Sequence, residues 1–198
     1  MKLLYSFLII LTMADTCCSQ NCSYANWWIS FDNEGWSYCD SEYQYMTGLW
    51  RNERESYDGI YLIEHAKCCF AQDLPASCQK ANWWGILDGK NSWALCPDGY
   101  FMRGLYRSGD DSWLHNIEEA QCCKPEGLPD RYYDCYVQNV WGSLDHKGLS
   151  ECEREGYYMV GIFKGNCDKL YCLEEFKCCR MMDIESSSVQ ADETKSKE

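Results

Sequence analysis

The sequence contains no apolar run long enough to cross a bilayer. The longest apolar run, Leu3–Leu11, follows Lys2 and precedes small residues. A helix that spans a bilayer needs about 20 apolar residues. A short apolar run after a basic residue is typical of a secretory signal peptide, which we predict over residues 1–19. The cleavage position decides whether Cys17 and Cys18 remain in the mature chain. We therefore expect a secreted, extracellular protein without a membrane span.

Positive charge is also scarce. The chain has 18 Lys and Arg residues against 31 Asp and Glu residues, which gives a formal net charge of −13. An acidic surface repels nucleic acids and anionic membranes, so we expect neither as a partner. Such a surface would suit cations, mineral surfaces or basic partners, although it also serves simply to keep a protein in solution.

The usual sequence signs of catalysis are missing. There are only three histidines, and the chain has neither an HExxH motif nor a Gly-rich phosphate loop. A serine or cysteine nucleophile needs a base such as histidine beside it. We therefore predict no enzymatic activity, no catalytic residue, no cofactor and no bound metal.

A helical period is absent as well. No segment sustains an apolar repeat of 3.6 residues. Instead, runs rich in Trp, Tyr and Ile alternate with turn-forming residues, which favours β-strands. In the first part of the chain these runs are residues 26–31, 35–38, 45–51 and 60–70. The pattern predicts an all-β protein with little helix.

Cysteine, by contrast, is abundant, with 16 in 198 residues. This frequency belongs to oxidised, secreted proteins rather than to the reducing cytosol. Adjacent cysteines also occur in metal sites, but secretion and an even count favour disulfides.

The cysteines mark three copies of one repeat. The copies span residues 22–70, 78–124 and 135–180, and their first cysteines lie 56 and 57 residues apart. Segments 71–76 and 124–130, each with a proline, are interpreted as the links between copies. Agreement at many aligned positions indicates an internal triplication within a single domain.

Three repeats of about four short strands restrict the architecture. They imply a closed or nearly closed all-β body, trefoil-like or barrel-like, with pseudo-threefold symmetry. The alternative is three small disulfide-stapled sheets in a row.

The disulfide pattern follows from strand geometry. Neighbouring strand residues face opposite sides, so the two members of each double cysteine need different partners. We predict that the second cysteine of each repeat pairs with one member of its double cysteine. The first cysteine should take a remaining member in the same repeat or the next, and Cys167 should pair with Cys172. The cysteines concerned are Cys22, Cys39, Cys68, Cys69, Cys78, Cys96, Cys122, Cys123, Cys135, Cys152, Cys167, Cys172, Cys178 and Cys179.

Recurring tryptophans are the best candidates for ligand contact. Indole faces stack on sugar rings and on apolar side chains alike. Where two tryptophans are adjacent in a strand, one of them is expected in the core and the other on the surface. Recurring basic residues could act as secondary anchors. The predicted ligand contacts are Trp27, Trp28, Trp83, Trp84, Trp141, Arg51, Arg107 and Lys164.

The same basic residues recur with an acid. Each stands five residues after the repeat's methionine, and a glutamate stands four residues before the double cysteine. Strand alternation puts that glutamate on a partly buried face, where a carboxylate needs a partner. We predict one structural ion pair per repeat, with Glu64, Glu118 and Glu174 as the acids.

Two features lie outside the repeats. Asn21, in the sequence Asn-Cys-Ser, is an acceptor sequon for N-glycosylation. From residue 183 to residue 198 the composition turns to Ser, Asp, Glu and Lys, which predicts a disordered tail.

The repeats resemble the dermatopontin family. The resemblance rests on Trp28, on the run Gly35–Cys39, on Leu49 with Arg51 and on Ala66–Cys69. Its counterparts in the later copies are Cys78, Trp83, Trp84, Cys122, Cys123, Cys178 and Cys179. The resemblance covers nearly all of the mature chain, but the Asp-Arg-x-Trp signature before the last strand is missing.

This resemblance implies a function. Members of the family are secreted, acidic, tyrosine-rich matrix proteins with disulfides, and relatives act in cell adhesion. We therefore expect a non-enzymatic extracellular matrix or cell-adhesion protein that binds a glycan or a matrix protein. The alternative is a secreted defence lectin or venom component.

Overall fold

The computed structural model describes residues 20–54 and 56–182. The predicted signal peptide, the two cysteines within it and the predicted tail lie outside the described residues. Within the described ranges, twelve strands form three four-stranded antiparallel sheets, and helix is confined to single short turns. The prediction of a mostly β protein with little helix is confirmed.

Each repeat contributes four strands in the same order. The first contains β1 (Cys22–Asn26), β2 (Gly35–Tyr38), β3 (Gln44–Arg51) and β4 (Ile63–Phe70). The second contains β5 (Ala76–Asn82), β6 (Ser92–Leu95), β7 (Phe101–Arg107) and β8 (Ile117–Pro125). The third contains β9 (Cys135–Asn139), β10 (Gly148–Glu151), β11 (Tyr157–Lys164) and β12 (Leu173–Arg180). A 3-10 turn precedes each fourth strand, at Ile60–Leu62, Leu114–Asn116 and Leu170–Cys172, and one short helix, α1, spans Trp141–Leu144.

The predicted extended run over residues 26–31 is wrong except at Asn26, because the strand lies before it. β1 ends at Asn26, and the next five residues form a turn in which the Phe31 amide donates to the Trp27 carbonyl at 2.8 Å. Both side chains are buried, and their rings stack 5.5 Å apart. Aromatic content alone therefore did not distinguish a strand from a buried turn.

The sheets are built by strand exchange between repeats. Their strand orders are β1-β4-β3-β10, β5-β8-β7-β2 and β9-β12-β11-β6. Each repeat therefore keeps three strands and gives its short second strand to another repeat: the first to the second, the second to the third and the third to the first. This cyclic exchange excludes three independent sheets in a row.

The predicted closed barrel is wrong, because the strands of the described residues remain in three separate sheets. The second strands are only four residues long. Each pairs with one neighbour and ends its sheet, so no ladder continues into the next sheet. A trefoil-like arrangement and pseudo-threefold symmetry stay predictions.

Three rings join the sheets in a small aromatic cluster. Tyr45 on β3, Phe101 on β7 and Tyr158 on β11 are buried and contact one another edge to face, with ring centroids 5.8 to 6.1 Å apart. The Tyr158 hydroxyl donates to the Phe70 carbonyl at 2.9 Å, and burial raises the pKa of Tyr158 to about 12. The three long central strands thus share one aromatic core.

Seven disulfides within the described residues confirm the predicted bridges. The second cysteine of each repeat pairs with the first member of its own double cysteine, in Cys39–Cys68, Cys96–Cys122 and Cys152–Cys178. The first cysteine pairs with the second member, in Cys22–Cys69, Cys78–Cys123 and Cys135–Cys179. Cys167 pairs with Cys172.

Strand exchange gives these bridges two different roles. Cys22–Cys69 and its two counterparts join directly opposite residues within one sheet. Cys39 follows the exchanged strand β2, and its amide still donates to the Arg103 carbonyl of β7 at 2.9 Å. The Cys39–Cys68 bridge therefore connects two sheets, and the corresponding bridges of the other repeats do the same.

Candidate functional site

One tryptophan per repeat stands exposed at the end of the first strand. Trp28, Trp84 and Trp141 are 54%, 53% and 58% exposed. Each lies two residues after an asparagine whose side-chain oxygen accepts the tryptophan's backbone N–H at 3.0, 3.0 and 3.1 Å; these are Asn26, Asn82 and Asn139. Such an Asx turn redirects the chain where the strand ends. We call the three turns the tryptophan corners.

The adjacent tryptophans have a structural role. Trp27 and Trp83 are buried, and their indole N–H groups donate to the carbonyls of Tyr38 at 2.9 Å and Leu95 at 3.1 Å. Those carbonyls belong to the exchanged strands, so each indole fastens one of them. One tryptophan of each pair is in the core, as expected. A ligand contact at Trp27 or Trp83, which we predicted, is excluded by their burial.

The predicted basic anchors are also buried. Arg51, Arg107 and Lys164 are 0%, 2% and 3% exposed, so none of them can reach a ligand on the surface. Successive side chains of a strand point to opposite faces, and these three point into the molecule. The residue directly before each of them points outward and is aromatic: Trp50, Tyr106 or Phe163. The prediction of these three residues as ligand anchors is therefore wrong.

Two of these cations pair with an aspartate that the sequence analysis missed. The Arg51 guanidinium donates to the Asp58 carboxylate at 2.7 Å and to the Leu144 carbonyl at 2.6 Å. Lys164 donates to Asp168 at 2.5 Å and also to the Leu87 carbonyl. Each aspartate stands two residues before the 3-10 turn of its own repeat. Both cations also reach a carbonyl of another repeat, so they connect neighbouring repeats.

The second repeat lacks this pair. The residue two places before its 3-10 turn is Ser112, and no carboxylate of the described residues lies within ion-pair distance of Arg107. Arg107 donates to the Ser108 carbonyl at 3.1 Å, and its buried Nε has no hydrogen-bond partner.

The predicted ion pairs of Glu64, Glu118 and Glu174 are wrong. Glu64 accepts from the Asn52 amide at 3.3 Å, and Glu118 accepts from the Ser108 hydroxyl at 3.1 Å. The third acid, Glu174, lies against Gly165, where any side chain would collide with its carboxylate. Each glutamate therefore contacts the residue that follows the basic residue of its own repeat, and not the basic residue itself.

The physical reason is a β-bulge. The register shifts beside Arg51, Arg107 and Lys164, so each basic residue lies opposite the residue before the glutamate, which is Ile63, Ile117 or Leu173. Its side chain extends into its own loop. Desolvation by burial is the largest influence on the pKa of Glu64 and of Glu118 and raises it, which is the direction expected for buried carboxylates.

In each repeat a loop connects the third strand to the fourth, and the first and third of these loops carry Asp58 and Asp168. The three loops contact one another. Backbone N–H groups of Tyr61, Leu114 and Leu170 donate to carbonyls in the loop of another repeat, at 3.0 to 3.2 Å. The Lys169 ammonium lies 3.4 Å from the Tyr57 ring centre and 3.8 Å from the Trp113 ring centre, and desolvation lowers its pKa. This cation–π sandwich fastens the third loop to the first and second loops.

The outer face of the second sheet carries a continuous group of aromatic and charged side chains. We call it the aromatic belt and define it as Trp84, Glu119, Lys80, Trp36, Tyr38, Tyr106 and Glu34. The Trp84 indole points its N–H at Glu119, 3.5 Å away. Glu119 also lies 3.5 Å from the Lys80 ammonium, which lies 4.7 Å above the Trp36 ring. The belt thus begins at one tryptophan corner.

Two rings of the aromatic belt are nearly parallel. Trp36 and Tyr38 stack 5.3 Å apart with an angle of 6° between their planes, and Tyr106 lies 5.4 Å from Trp36. Gly104 makes this arrangement possible, because a Cβ there would come within 2.5 Å of the Tyr38 ring and of the Ser37 carbonyl oxygen. The Tyr106 hydroxyl donates to Glu34 at 3.0 Å.

The other two sheets lack a complete belt. The positions of Trp36 and Tyr38 are Leu149 and Glu151 on the first sheet. On the third sheet they are Trp93 and Leu95. Strand exchange therefore creates one face with a pair of parallel rings, from a strand of the first repeat and a sheet of the second.

The sequon residue Asn21 is exposed and immediately precedes β1. It borders a cleft of about 550 Å³ that Phe70, Tyr158 and Arg180 also line. Its backbone carbonyl accepts from the Phe70 amide at 2.8 Å, while its side chain stays on the surface. The position leaves the amide accessible for a glycan.

Within the described residues, no three His, Cys, Asp or Glu side chains are arranged to hold a metal ion. Over the same ranges, no helix has the length and apolar character needed to cross a membrane. The chain matches no protein-family model, no curated protein and no solved structure. The resemblance to dermatopontin therefore stays a prediction.

Proposed function

We propose that this chain is a secreted, non-enzymatic adhesion or matrix protein that binds an extracellular glycan through its tryptophan corners. The observation that carries the proposal is the exposure of Trp28, Trp84 and Trp141 in three equally built turns. A large apolar ring left half in water and held by a fixed turn loses little freedom when a sugar ring stacks on it.

Repetition of the corners supports an adhesive role. Three equal contacts on one body can engage several sugar units of a polymer at once, and avidity then exceeds the affinity of any single contact. Strand exchange and the inter-sheet disulfides support a rigid spacing between the corners. The seven disulfides also suit the oxidising environment in which secreted proteins work.

Binding to an immobilised panel of glycans and matrix proteins tests the proposal. The mature protein is compared with Trp28→Ala, Trp84→Ala and Trp141→Ala, singly and combined. A lost stacking contact is worth about 0.5–1.5 kcal/mol, which corresponds to roughly 2- to 12-fold in affinity per corner. The triple variant should lose nearly all retention.

Tyr133→Ala is the matched control, because Tyr133 is 59% exposed and lies outside the corners. It should bind like the parent protein, and all variants should keep the parent melting temperature. Full retention by the triple variant, or no binding to any member of the panel by the parent protein, overturns the proposal. Turnover of a glycan or peptide by the purified protein overturns its non-enzymatic part.

A further inference from the structure

The aromatic belt differs from the tryptophan corners because it is complete on one sheet only. Its rings and carboxylates come from two repeats, and none of its members except Trp84 was predicted from the sequence as a ligand contact. We propose that the aromatic belt is the main subsite of the glycan-binding function and that its ligand is a chain of uncharged sugar rings, not a sulfated or uronic-acid polysaccharide. This inference rests on the proposed function.

The size of the belt sets the length of the ligand. Asn82, Glu119, Tyr106 and Trp36 lie opposite one another across the four strands of the sheet. Three gaps between strands at about 4.8 Å each give roughly 14 Å. A ligand that contacts Trp84 at one end and the parallel rings at the other therefore needs several linked sugars, whereas a monosaccharide covers one end only.

The ring faces select a sugar rather than a flat apolar ligand. Trp36 and Tyr38 stack on each other, and the parts of the two rings that stay accessible form one aromatic surface against which the C–H face of a sugar ring can pack. Both remain partly accessible, and Tyr38 is 39% exposed. Around them stand hydrogen-bonding groups: the Glu119 and Glu34 carboxylates, the Tyr106 hydroxyl and the Lys80 ammonium. Apolar faces bordered by hydroxyl-binding groups match the two sides of a pyranose ring.

The charges of the belt select against anionic glycans. A carboxylate stands at each end, Glu119 beside Trp84 and Glu34 beside Tyr106. The one lysine of the belt, Lys80, is already engaged by Glu119 and by the Trp36 ring. A second cation, Arg103, interacts electrostatically with Tyr38 and donates to the Ser41 carbonyl at 3.4 Å. Carboxylates accept hydrogen bonds from sugar hydroxyls but repel sulfate and carboxylate groups. Such like-charge repulsion is a common way to exclude a competing ligand.

The test measures affinity for neutral oligosaccharides of one to six rings and for heparin at physiological salt. We expect affinity for the neutral series to rise with length up to about three or four rings and then level off. Heparin should bind at least tenfold more weakly than the best neutral oligosaccharide. Stronger binding of heparin would overturn the inference about charge.

Trp36→Ala should lower affinity for the best neutral oligosaccharide at least tenfold, and Trp36→Tyr should restore most of it because the ring face returns. Trp93→Ala is the matched control, since Trp93 has the corresponding place on the third sheet and packs against Phe163. It should change affinity less than twofold, and equal losses in the two alanine variants refute a dedicated belt.

The two proposals fail separately. If the parent protein binds neutral glycans and loses them on removal of the tryptophan corners but not in Trp36→Ala, the proposed function stands and the belt inference falls. If the parent protein binds no glycan, both fall.

Discussion

The buried pair of Arg51 and Asp58 should control stability. Arg51 is fully buried and Asp58 nearly so, and the two side chains meet at 2.7 Å. Asp58→Asn keeps the shape and the acceptor for the Tyr171 amide but leaves a buried guanidinium without its counter-charge. Breaking a buried pair from one side costs about 3–5 kcal/mol. For a domain of this size, 1 kcal/mol corresponds to roughly 2–4 °C, so we expect the melting temperature to fall by about 10 °C.

The second repeat offers the reverse experiment. Ser112 stands where the first and third repeats have Asp58 and Asp168, and no carboxylate of residues 20–54 and 56–182 forms an ion pair with Arg107. Ser112→Asp should supply one, and a hydrogen bond to a charged group contributes about 1.5–3 kcal/mol. We expect the melting temperature to rise by several degrees.

Thermal unfolding followed by circular dichroism at pH 7, with disulfides intact, measures both changes. Asp145→Asn, at an exposed acid, is the control and should change the melting temperature by no more than a degree or two. The reasoning is refuted if Asp58→Asn melts with the parent protein, or if Ser112→Asp lowers the melting temperature as much as Asp58→Asn does.

Three further predictions concern single side chains. Glu118→Gln should leave the melting temperature at pH 7 unchanged or raised, because burial raises the pKa of Glu118 and no salt bridge to it forms within the described residues; a fall of several degrees contradicts this. Burial raises the pKa of Asp168, but hydrogen bonds from Lys164 and His115 outweigh this effect and bring that pKa below its ordinary value. Its stabilising effect is therefore present above the ordinary carboxyl pKa and lost as the pH falls through the lowered one, so Asp168→Asn should destabilise at pH 7 but much less at pH 2 to 3; an equal loss at both pH values excludes the charge effect. Asn82→Ala should weaken glycan retention as Trp84→Ala does while the fold survives, measured on the same glycan panel; unchanged retention means that the Asx turn does not position the indole.

The sequence was most informative where the signal was local and repeated. The cysteine spacing limited the possible bridges, because a double cysteine on a strand allows few pairings. It left open which member of the double cysteine each partner takes, and whether the first cysteine pairs in its own repeat or the next. Aromatic runs bounded by turn-formers located most strands, but β1 precedes the predicted run over residues 26–31, and a 3-10 turn opens the predicted run over residues 60–70.

The long-range features could not be predicted. Nothing in residues 35–38 indicates that β2 leaves its own repeat, so the meeting of Trp36 with Tyr106 was not foreseeable. The outward or inward direction of Arg51 depends on a β-bulge, which a run of residues does not reveal. The Asn-x-Trp pattern, by contrast, occurs four times in the sequence, three times at the tryptophan corners and once at Asn91–Trp93, where the tryptophan lies in β6. The preference of asparagine for Asx turns could have indicated the corners as candidates.

The Cys22–Cys69, Cys78–Cys123 and Cys135–Cys179 bridges have a mechanical consequence. Tension applied between residues 20 and 182 enters one sheet at its edge strand, crosses the disulfide at once and leaves through the link to the next repeat. Covalent load therefore passes only through the two links, which extend to roughly 70 Å at most, whereas the reduced chain would reach roughly 550 Å. Under tension the oxidised protein is therefore a short tether whose length is limited by the two links, and the strands inside each disulfide loop bear no covalent load.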